Sequence, residues 1–163
     1  MKTLLIVYHS LTGGTAAMAE AAADGARLEA GIGVRLLRAS QAGPRDLLGA
    51  DGVIFATPEN LASMAGVMKD FFDRCYYPAL GRLEGRAYAS LICAGSDGQG
   101  AARQIARIVT GWRMREVAPP LILCTRAQTA EAILATKVIG AADLALCAEA
   151  GQAMAAGLVL GVF

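Results

Sequence analysis

The chain has 163 residues, of which 55% are hydrophobic, and its 15 basic and 14 acidic residues leave a formal net charge of +1. This length and composition are typical of one domain with a sizeable core. The charges form no polybasic run, so we expect neither a nucleic-acid partner nor attraction to an anionic membrane surface. No low-complexity linker divides the chain, and a single domain is predicted over residues 1–163.

The cysteines and the ends of the chain bear on its compartment. The four cysteines lie far apart among apolar neighbours, which favours free thiols in a reducing environment over a disulfide framework or a zinc site. The first apolar run lacks a small-residue cleavage site, and the run over residues 158–163 is too short to span a bilayer. We therefore expect a cytoplasmic protein with no membrane span.

The first predicted elements are a strand, a loop and a helix. The apolar run 3–8 ends in His9-Ser10-Leu11-Thr12-Gly13-Gly14-Thr15, which continues into an alanine-rich helical stretch. Such a loop can direct backbone N–H groups and hydroxyls at one point, where the positive end of the helix dipole favours an anion. The sequence therefore predicts a phosphate-binding loop.

The residue types that this loop lacks indicate which class of phosphate ligand it can bind. The loop has no lysine, which a P-loop nucleotide triphosphatase requires, and its adjacent glycines do not match the Gly-x-Gly-x-x-Gly dinucleotide fingerprint. Neutral donors alone suit one terminal phosphate. The pattern points to a mononucleotide such as FMN.

The rest of the chain alternates between strand and helix patterns. Further buried strands are predicted at 34–37, 52–56, 87–94 and 121–124. Helices are predicted at 15–30, 65–76, 100–112 and 141–160, with a short turn at 45–49. This alternation predicts a three-layer, doubly wound α/β fold with five parallel strands, in which ligands bind at the carboxyl ends of the strands.

Two more loops at that edge carry unusual residues. Thr57-Pro58-Glu59-Asn60-Leu61 follows the third strand, and Pro58 should make that loop leave the sheet extended, with Glu59 and Asn60 able to hydrogen-bond a planar ligand. The glycine-rich segment 94–100 follows the fourth strand and can approach a ring face closely. We expect the three loops to converge on one crevice.

These motifs resemble a known family. The segment Pro58-Glu59-Asn60 through Gly66, followed by Lys69-Asp70-Phe71-Phe72-Asp73, is similar to a pattern of the flavodoxin-like NAD(P)H-dependent FMN reductases and quinone reductases. The resemblance implies strand order 2-1-3-4-5, FMN as cofactor, NADH or NADPH as co-substrate, and a small-molecule electron acceptor such as a quinone or free flavin. A homo-oligomer is also implied. The cofactor-binding residues that it implies, with no protein catalytic residue or metal among them, are Ser10, Leu11, Thr12, Gly13, Gly14, Thr15, Pro58, Glu59, Asn60, Leu61, Gly95, Ser96, Asp97 and Gly98.

Two alternatives stay open beside an NAD(P)H-dependent oxidoreductase. A flavodoxin-type electron carrier would fit the fold, although such carriers are usually acidic and commonly stack aromatic side chains on the flavin, and these loops have neither property. A fold that has lost its flavin would leave the hydroxyl-rich loop without a purpose beyond capping the helix through Thr12 or Thr15. The structural interpretations of other residues are a strand-end role for His9, surface ion pairs for Lys69 with Asp73 and Asp70 with Arg74, and core packing for Trp112.

Overall fold

The structure is a computed structural model that describes residues 1–163, and it contains one sheet with helices on both faces. The strands are β1 (Lys2–Tyr8), β2 (Ile32–Arg38), β3 (Gly52–Asn60), β4 (Ser63–Met64), β5 (Ala87–Ala94), β6 (Arg115–Glu116) and β7 (Leu121–Cys124). The helices are α1 (Gly14–Ala26), α2 (Pro44–Leu48), α3 (Gly66–Ala79), α4 (Gln99–Gly111), α5 (Ala130–Leu134) and α6 (Ala141–Leu160).

The sheet has the predicted topology. Strands β2, β1, β3 and β5 are parallel neighbours in that order, and both β6 and β7 pair with the outer edge of β5, at its opposite ends. Pro119 and Pro120 separate β6 from β7 and have no N–H group to donate, so they interrupt one edge strand. Counting β6 and β7 as that single edge strand, the predicted order 2-1-3-4-5 is confirmed.

The two faces of the sheet bury separate cores. Alternating residues of β1 point to opposite faces, so Leu5 packs on the side of α2, α3 and α4, whereas Leu4 packs on the side of α1 and α6. Trp112 is 5% exposed and its ring centroid lies 5.7 Å from that of Phe72, in agreement with the packing role expected for it.

Helix α6 is long and apolar enough to cross a membrane, judged by length and composition alone. In the fold it packs on α1 with almost no side chain between them. A Cβ atom added at Gly151 would lie 1.9 Å from the carbonyl oxygen of Ala22, and one added at Gly25 would lie 2.0 Å from that of Ala148. This packing accounts for the buried part of α6, which is 33% of its apolar stretch.

The charged face of α3 carries the predicted ion pairs. Lys69 Nζ lies 2.7 Å from Asp73 Oδ1, and Arg74 Nε lies 2.7 Å from Asp70 Oδ2. Arg74 also donates to the carbonyl oxygens of Ala42 and Ala39, at 2.7 and 2.6 Å, so it ties α3 to the segment before α2.

Three elements were not predicted, and several bounds differ. The missed elements are β4, β6 and α5, and β3 continues past the predicted end at Ala56 to Asn60. Thr57 and Pro58 extend β3 because they still pair with Ile92 and Cys93 of β5. Helix α1 ends at Ala26 rather than at residue 30.

Candidate functional site

A cavity of about 420 Å³ lies at the carboxyl ends of β1, β3, β5 and β7. Its size is typical of small-molecule sites. The predicted site residues that line it are Ser10, Leu11, Thr12, Gly14, Thr15, Pro58, Glu59, Asn60, Leu61 and Gly95. The three loops expected to converge therefore do so, each to a different extent.

The loop after β1 is held in shape by its own hydrogen bonds. The Gly13 N–H donates to Ser10 Oγ at 3.1 Å, so the Ser10 hydroxyl closes the turn. Gly13 has φ of 95° and precedes α1, and a Cβ atom at Gly14 would lie 2.7 Å from Cys93 Sγ. Both glycines are needed, the first for its left-handed backbone and the second for close approach to β5.

The N-terminus of α1 faces the cavity without a cap. The residue before the helix is Gly13, no side chain caps the helix, and its first turn has no acidic residue. The alternative in which Thr12 or Thr15 merely caps α1 is therefore not what the structure shows. The positive end of the helix dipole is left available to an anion.

Thr15 has a buried hydroxyl without a partner. The residue is 2% exposed, it lines the cavity, and its Oγ1 makes no hydrogen bond. The neighbouring Cys93 thiol is close enough for the Thr15 hydroxyl to oppose the rise of the thiol pKa that burial causes, but sulfur is only a weak hydrogen-bonding partner and does not satisfy the hydroxyl. An unsatisfied buried hydroxyl costs free energy, so this atom fits a site whose ligand supplies an acceptor. A phosphate oxygen would do so.

The loop after β3 is a tight hairpin rather than an open extended loop. Glu59 pairs with Met64 and Asn60 with Ser63, and the two residues at the tip, Leu61 and Ala62, have φ of 52° and 60°. Left-handed backbone at two successive residues is typical of a type I′ hairpin turn, but Gly or Asn usually occupies these positions. The strained tip carries Leu61 fully exposed at the mouth of the cavity.

Glu59 caps a helix, a role that was not predicted for it from the sequence. Its Oε1 accepts from the Gly98 N–H at 2.9 Å, and its Oε2 accepts from the Ala101 N–H at 3.0 Å. Both carboxylate oxygens thus satisfy the N-terminal N–H groups of α4. Glu59 lines the cavity as the link between the hairpin and α4.

The loop after β5 contributes fewer residues to the lining of the cavity than expected. Gly95 lines the cavity, together with Ala94, whereas Ser96 and Asp97 are exposed and lie outside its lining. Gly98 is buried and starts α4 with φ of 84°, and a Cβ atom there would lie 2.4 Å from Ile122 Cγ2. Gly13, Ser96, Asp97 and Gly98 are therefore placed beside the cavity and not on its surface.

A fourth part of the cavity wall was not predicted from the sequence. It is formed by the segment after β7, and its lining residues are Thr125, Ala127, Ile133, Leu134 and Lys137. Helix α5 lies in this segment, and its N-cap is Thr129, whose Oγ1 accepts from the Ala132 N–H at 3.2 Å. The signal that could have found it is a Thr followed two residues later by an acidic residue, directly after the last strand at the same edge of the sheet.

Lys137 brings a positive charge to a loop that was expected to rely on neutral donors. Its backbone N–H donates to the carbonyl oxygen of Thr12 at 2.8 Å, which fastens the segment onto the loop. Its ammonium group donates to the carbonyl oxygens of Ile133 and Ala135 at 2.7 and 2.6 Å, at the end of α5. Burial raises the pKa of the nearby Cys93 thiol, and the charge of Lys137 opposes that shift.

The rim of the cavity is aliphatic. Leu11, Leu61 and Leu134 are 87%, 100% and 78% exposed, and no aromatic residue lines the cavity. His9 is half-buried and lies outside the lining, its N–H donates to the Ala56 carbonyl oxygen at 3.1 Å, and burial together with the charge of Arg38 lowers its pKa. A strand-end role for His9 agrees with this placement.

Comparison with known proteins supports the resemblance read from the sequence. The sequence profile of the family described as NADPH-dependent FMN reductase matches residues 1–129. A flavodoxin of Aquifex aeolicus is 37% identical over 108 residues, which cover 65% of this chain and 56% of that protein. An NAD(P)H dehydrogenase (quinone) of Acidithiobacillus ferrooxidans is 38% identical over 94 residues, covering 45% of this chain and 47% of that protein.

The fold is also found among solved structures. A flavodoxin, WrbA-like protein from Agrobacterium tumefaciens superposes with a TM-score of 0.77 at 18% identity, covering 98% of this chain and 99% of that one. The matches to the two curated relatives span about half of their length. The flavodoxin-like fold is confirmed, and the chain belongs to the family described as NADPH-dependent FMN reductase, a description that names the expected FMN and NADPH.

Proposed function

We propose that this protein is an FMN-dependent oxidoreductase that takes electrons from NADH or NADPH and passes them to a small-molecule acceptor, a quinone or free flavin. The observation that carries the proposal is the unpartnered Thr15 hydroxyl at the uncapped N-terminus of α1, inside a cavity of about 420 Å³. Neutral donors and a helix dipole converge there on a point suited to one terminal phosphate.

In this proposal the FMN phosphate lies in the loop Ser10–Thr15. The N–H groups that begin α1 and the Thr12 and Thr15 hydroxyls donate to its oxygens, while Ser10 holds the turn. Lys137 is added to the set because its backbone is fastened to Thr12, so its ammonium group needs only a side-chain rotation to exchange carbonyl partners for a phosphate oxygen. A charged donor makes a stronger hydrogen bond to phosphate than a hydroxyl does.

The ring system would lie between the hairpin after β3 and the loop after β5. Pro58, Asn60 and Leu61 form one wall, and Ala94 with Gly95 forms the other. Ser96 and Asp97 are exposed in the same loop and are proposed to meet the polar edge of the ring from outside the present lining. Bound FMN supplies the two-electron redox chemistry, and the protein supplies orientation and a polar environment.

The open, aliphatic mouth favours an enzyme over an electron carrier. With no aromatic residue in the lining, the exposed ring face leaves room for a planar co-substrate to stack. A net charge of +1 provides little electrostatic attraction toward a basic redox protein. The carrier remains the second candidate because one curated relative is named flavodoxin.

Anaerobic mixing of the FMN-loaded protein with NADPH or NADH separates these two functions. We expect rapid loss of the visible absorbance of the flavin, and its return on adding a quinone. A carrier would show no reduction by either nicotinamide nucleotide, although dithionite would still reduce it. Gly43→Ala, at an open position with no atom within 4 Å of the added Cβ, serves as the matched control and should behave as wild type.

Self-association and a cytoplasmic location complete the proposal. Exposed apolar side chains near the C-terminus, Val159, Leu160 and Val162, offer a surface for a second copy. All four cysteines are free thiols, as suits a reducing compartment. Size-exclusion chromatography with light scattering would give the mass, and a strictly monomeric protein would contradict the first of these two proposals.

A further inference from the structure

A second cavity, of about 580 Å³, lies on the other side of the hairpin that borders the proposed flavin site. Asn60 and Leu61 line the first cavity, and the next residues along the chain, Ala62 and Ser63, line the second. A single turn, with Leu61 fully exposed at its tip, therefore separates the two cavities. A molecule that docks over the second cavity lies against the mouth of the first.

The second cavity is basic. Lys69, Arg103 and Arg107 line it, and none of its lining residues is acidic. Lys69 is paired with Asp73 on α3. Arg103 and Arg107 lie one turn apart on α4, are exposed, and form no ion pair within the protein. Their guanidinium groups are therefore available to carboxylates of another molecule.

Charge is distributed unequally between the two faces of the molecule. Helix α4 carries two arginines and no acidic residue, and it lies on the opposite face of the sheet from α1 and α6. Helices α1 and α6 carry no basic residue and four exposed acidic ones, namely Glu20, Asp24, Asp143 and Glu149. Although the formal net charge is only +1, this asymmetry orients α4 toward an acidic partner during diffusional approach.

Helix α4 is fastened to the hairpin. Gln104 Oε1 accepts from Ser63 Oγ and from the Met64 N–H, each at 2.8 Å. A Cβ atom at Gly100 would lie 2.0 Å from the Ala62 carbonyl oxygen, so helix and hairpin touch directly. A partner bound through the arginines of α4 is therefore held in a fixed position relative to the mouth of the first cavity.

We propose that α4 and the hairpin form a docking surface for an acidic electron-carrier protein, which takes electrons from the flavin one at a time. The electron transfer rests on the proposed function, whereas the docking rests on the charges of this surface. Two oxidised carriers dock in turn and each gains one electron. The reduced flavin thereby returns to its oxidised form and releases two protons.

The same observations favour a protein over other anionic partners. No aromatic side chain lines the second cavity, so it offers no stacking platform for the bases of a nucleic acid. A second copy of the chain is disfavoured because a closed dimer brings the same patch of both subunits together, which would place α4 against α4. Redox proteins form small, transient interfaces, for which a short charged patch is sufficient.

The test compares two haem proteins of opposite charge, acidic cytochrome b5 and basic cytochrome c, as binding partners of the FMN-free protein in surface plasmon resonance. We expect cytochrome b5 to bind at low ionic strength and to lose affinity at least about tenfold between about 10 and 150 mM salt. Arg103→Glu should weaken this binding at least about fivefold, and Arg107→Glu should do the same. Neither variant should lose affinity for cytochrome c.

Arg27→Glu is the matched control. Arg27 is exposed directly after α1, and its replacement makes the same change of net charge on the opposite face of the sheet. Binding of cytochrome b5 should stay within about twofold of wild type in this variant. Circular dichroism should show that all three variants are folded, since each substituted arginine is exposed.

A second measurement follows electron transfer from the reduced, FMN-loaded protein. Arg103→Glu should lower the rate constant for reduction of cytochrome b5 at least about fivefold, and it should leave the rate with a small uncharged quinone unchanged. Equal losses with both acceptors would contradict a docking role for the arginine.

Three results of the binding experiment would overturn the inference: no binding of cytochrome b5, equal losses in Arg103→Glu and Arg27→Glu, or tighter binding of a single-stranded oligonucleotide. Salt-dependent dimers in light scattering that Arg103→Glu abolishes would assign the surface to a second copy and overturn it as well. Failure of FMN to bind would contradict the proposed function, but the docking measurement uses FMN-free protein and is independent of that result.

Discussion

Replacing Thr15 with valine should change stability and FMN affinity in opposite directions. Valine keeps the shape of the side chain and removes a hydroxyl that is buried, 2% exposed as a residue, and unpartnered. Burying an unsatisfied polar group costs about 1–3 kcal/mol. The FMN-free variant should therefore be more stable than wild type by roughly 1–2 kcal/mol, which for a chain of this size raises Tm by about 2–8 °C.

In the FMN-bound protein the same substitution should lower stability relative to wild type. If the Thr15 hydroxyl donates to the phosphate, its loss removes a hydrogen bond to a charged group, worth about 1.5–3 kcal/mol, and weakens FMN at least about tenfold. Ligand binding raises stability in proportion to the logarithm of the ratio of ligand concentration to Kd. Thermal melts across an FMN series should therefore cross: the variant melts higher without FMN, and wild type melts higher at saturating FMN.

Thr57→Val is the matched control. Thr57 is fully buried, and its hydroxyl donates to the Pro58 carbonyl oxygen at 3.0 Å and accepts from the Ala65 N–H at 3.2 Å. Valine there should lower the free energy of unfolding by about 1–3 kcal/mol and produce no crossing. A Thr15→Val variant that is less stable than wild type without FMN, or equal stabilisation of both proteins by FMN, would contradict this prediction.

Three further predictions concern the lysine beside the loop, the packing of α6 on α1 and the pH dependence of stability. Lys137→Met should lower the affinity for FMN about tenfold and leave the affinity for riboflavin unchanged, whereas Lys137→Arg should retain most of the FMN affinity. Equal losses of affinity for both flavins in calorimetric titrations would contradict a contact between Lys137 and the phosphate. Gly151→Ala should destabilise the protein by at least about 3 kcal/mol because its Cβ would lie 1.9 Å from a carbonyl oxygen of α1, whereas Gly111→Ala, with open space at the end of α4, should stabilise it by about 0.5–1 kcal/mol in urea unfolding. The pKa of His9 in the folded protein lies below its usual 6.5, so on acidification the unfolded chain binds the proton first. The free energy of unfolding should therefore fall as the pH drops below about 6.5 toward the folded pKa. In unfolding midpoints measured against pH, His9→Asn should reduce this dependence.

Buried, regular elements were predictable from the sequence. Strands β5 and β7 and helix α6 have the predicted bounds, because a continuous apolar run on a buried parallel strand, or a long helical pattern, dominates every competing local preference. The shape of the loop Ser10–Thr15 was predictable for a related reason. Its glycines and hydroxyls serve needs that few other residue types meet, namely left-handed backbone at Gly13 and close approach at Gly14.

The hairpin after β3 and the segment after β7 depend on long-range contacts that the local sequence pattern does not reveal. The tip of the hairpin has left-handed backbone at Leu61 and Ala62, which neither residue favours. Helix α4, about forty residues further along the chain, holds the hairpin in place through Gln104 and through the N–H groups that donate to Glu59. The backbone N–H of Lys137 donates a hydrogen bond to the carbonyl oxygen of Thr12, which lies far from it along the chain. The absence of lysine from the loop itself therefore predicted neutral donors, and it could not reveal that Lys137 lines the same cavity.

The most direct measurement is a parallel calorimetric titration of the flavin-free protein with FMN and with riboflavin, which share the ring and differ in the phosphate. We expect one FMN per chain and an affinity for FMN at least about a hundredfold higher than that for riboflavin, because riboflavin lacks the phosphate and so loses two or more hydrogen bonds to a charged group. Equal affinities for the two flavins, or no binding of FMN, would contradict the claim that Ser10–Thr15 and Lys137 form a phosphate site.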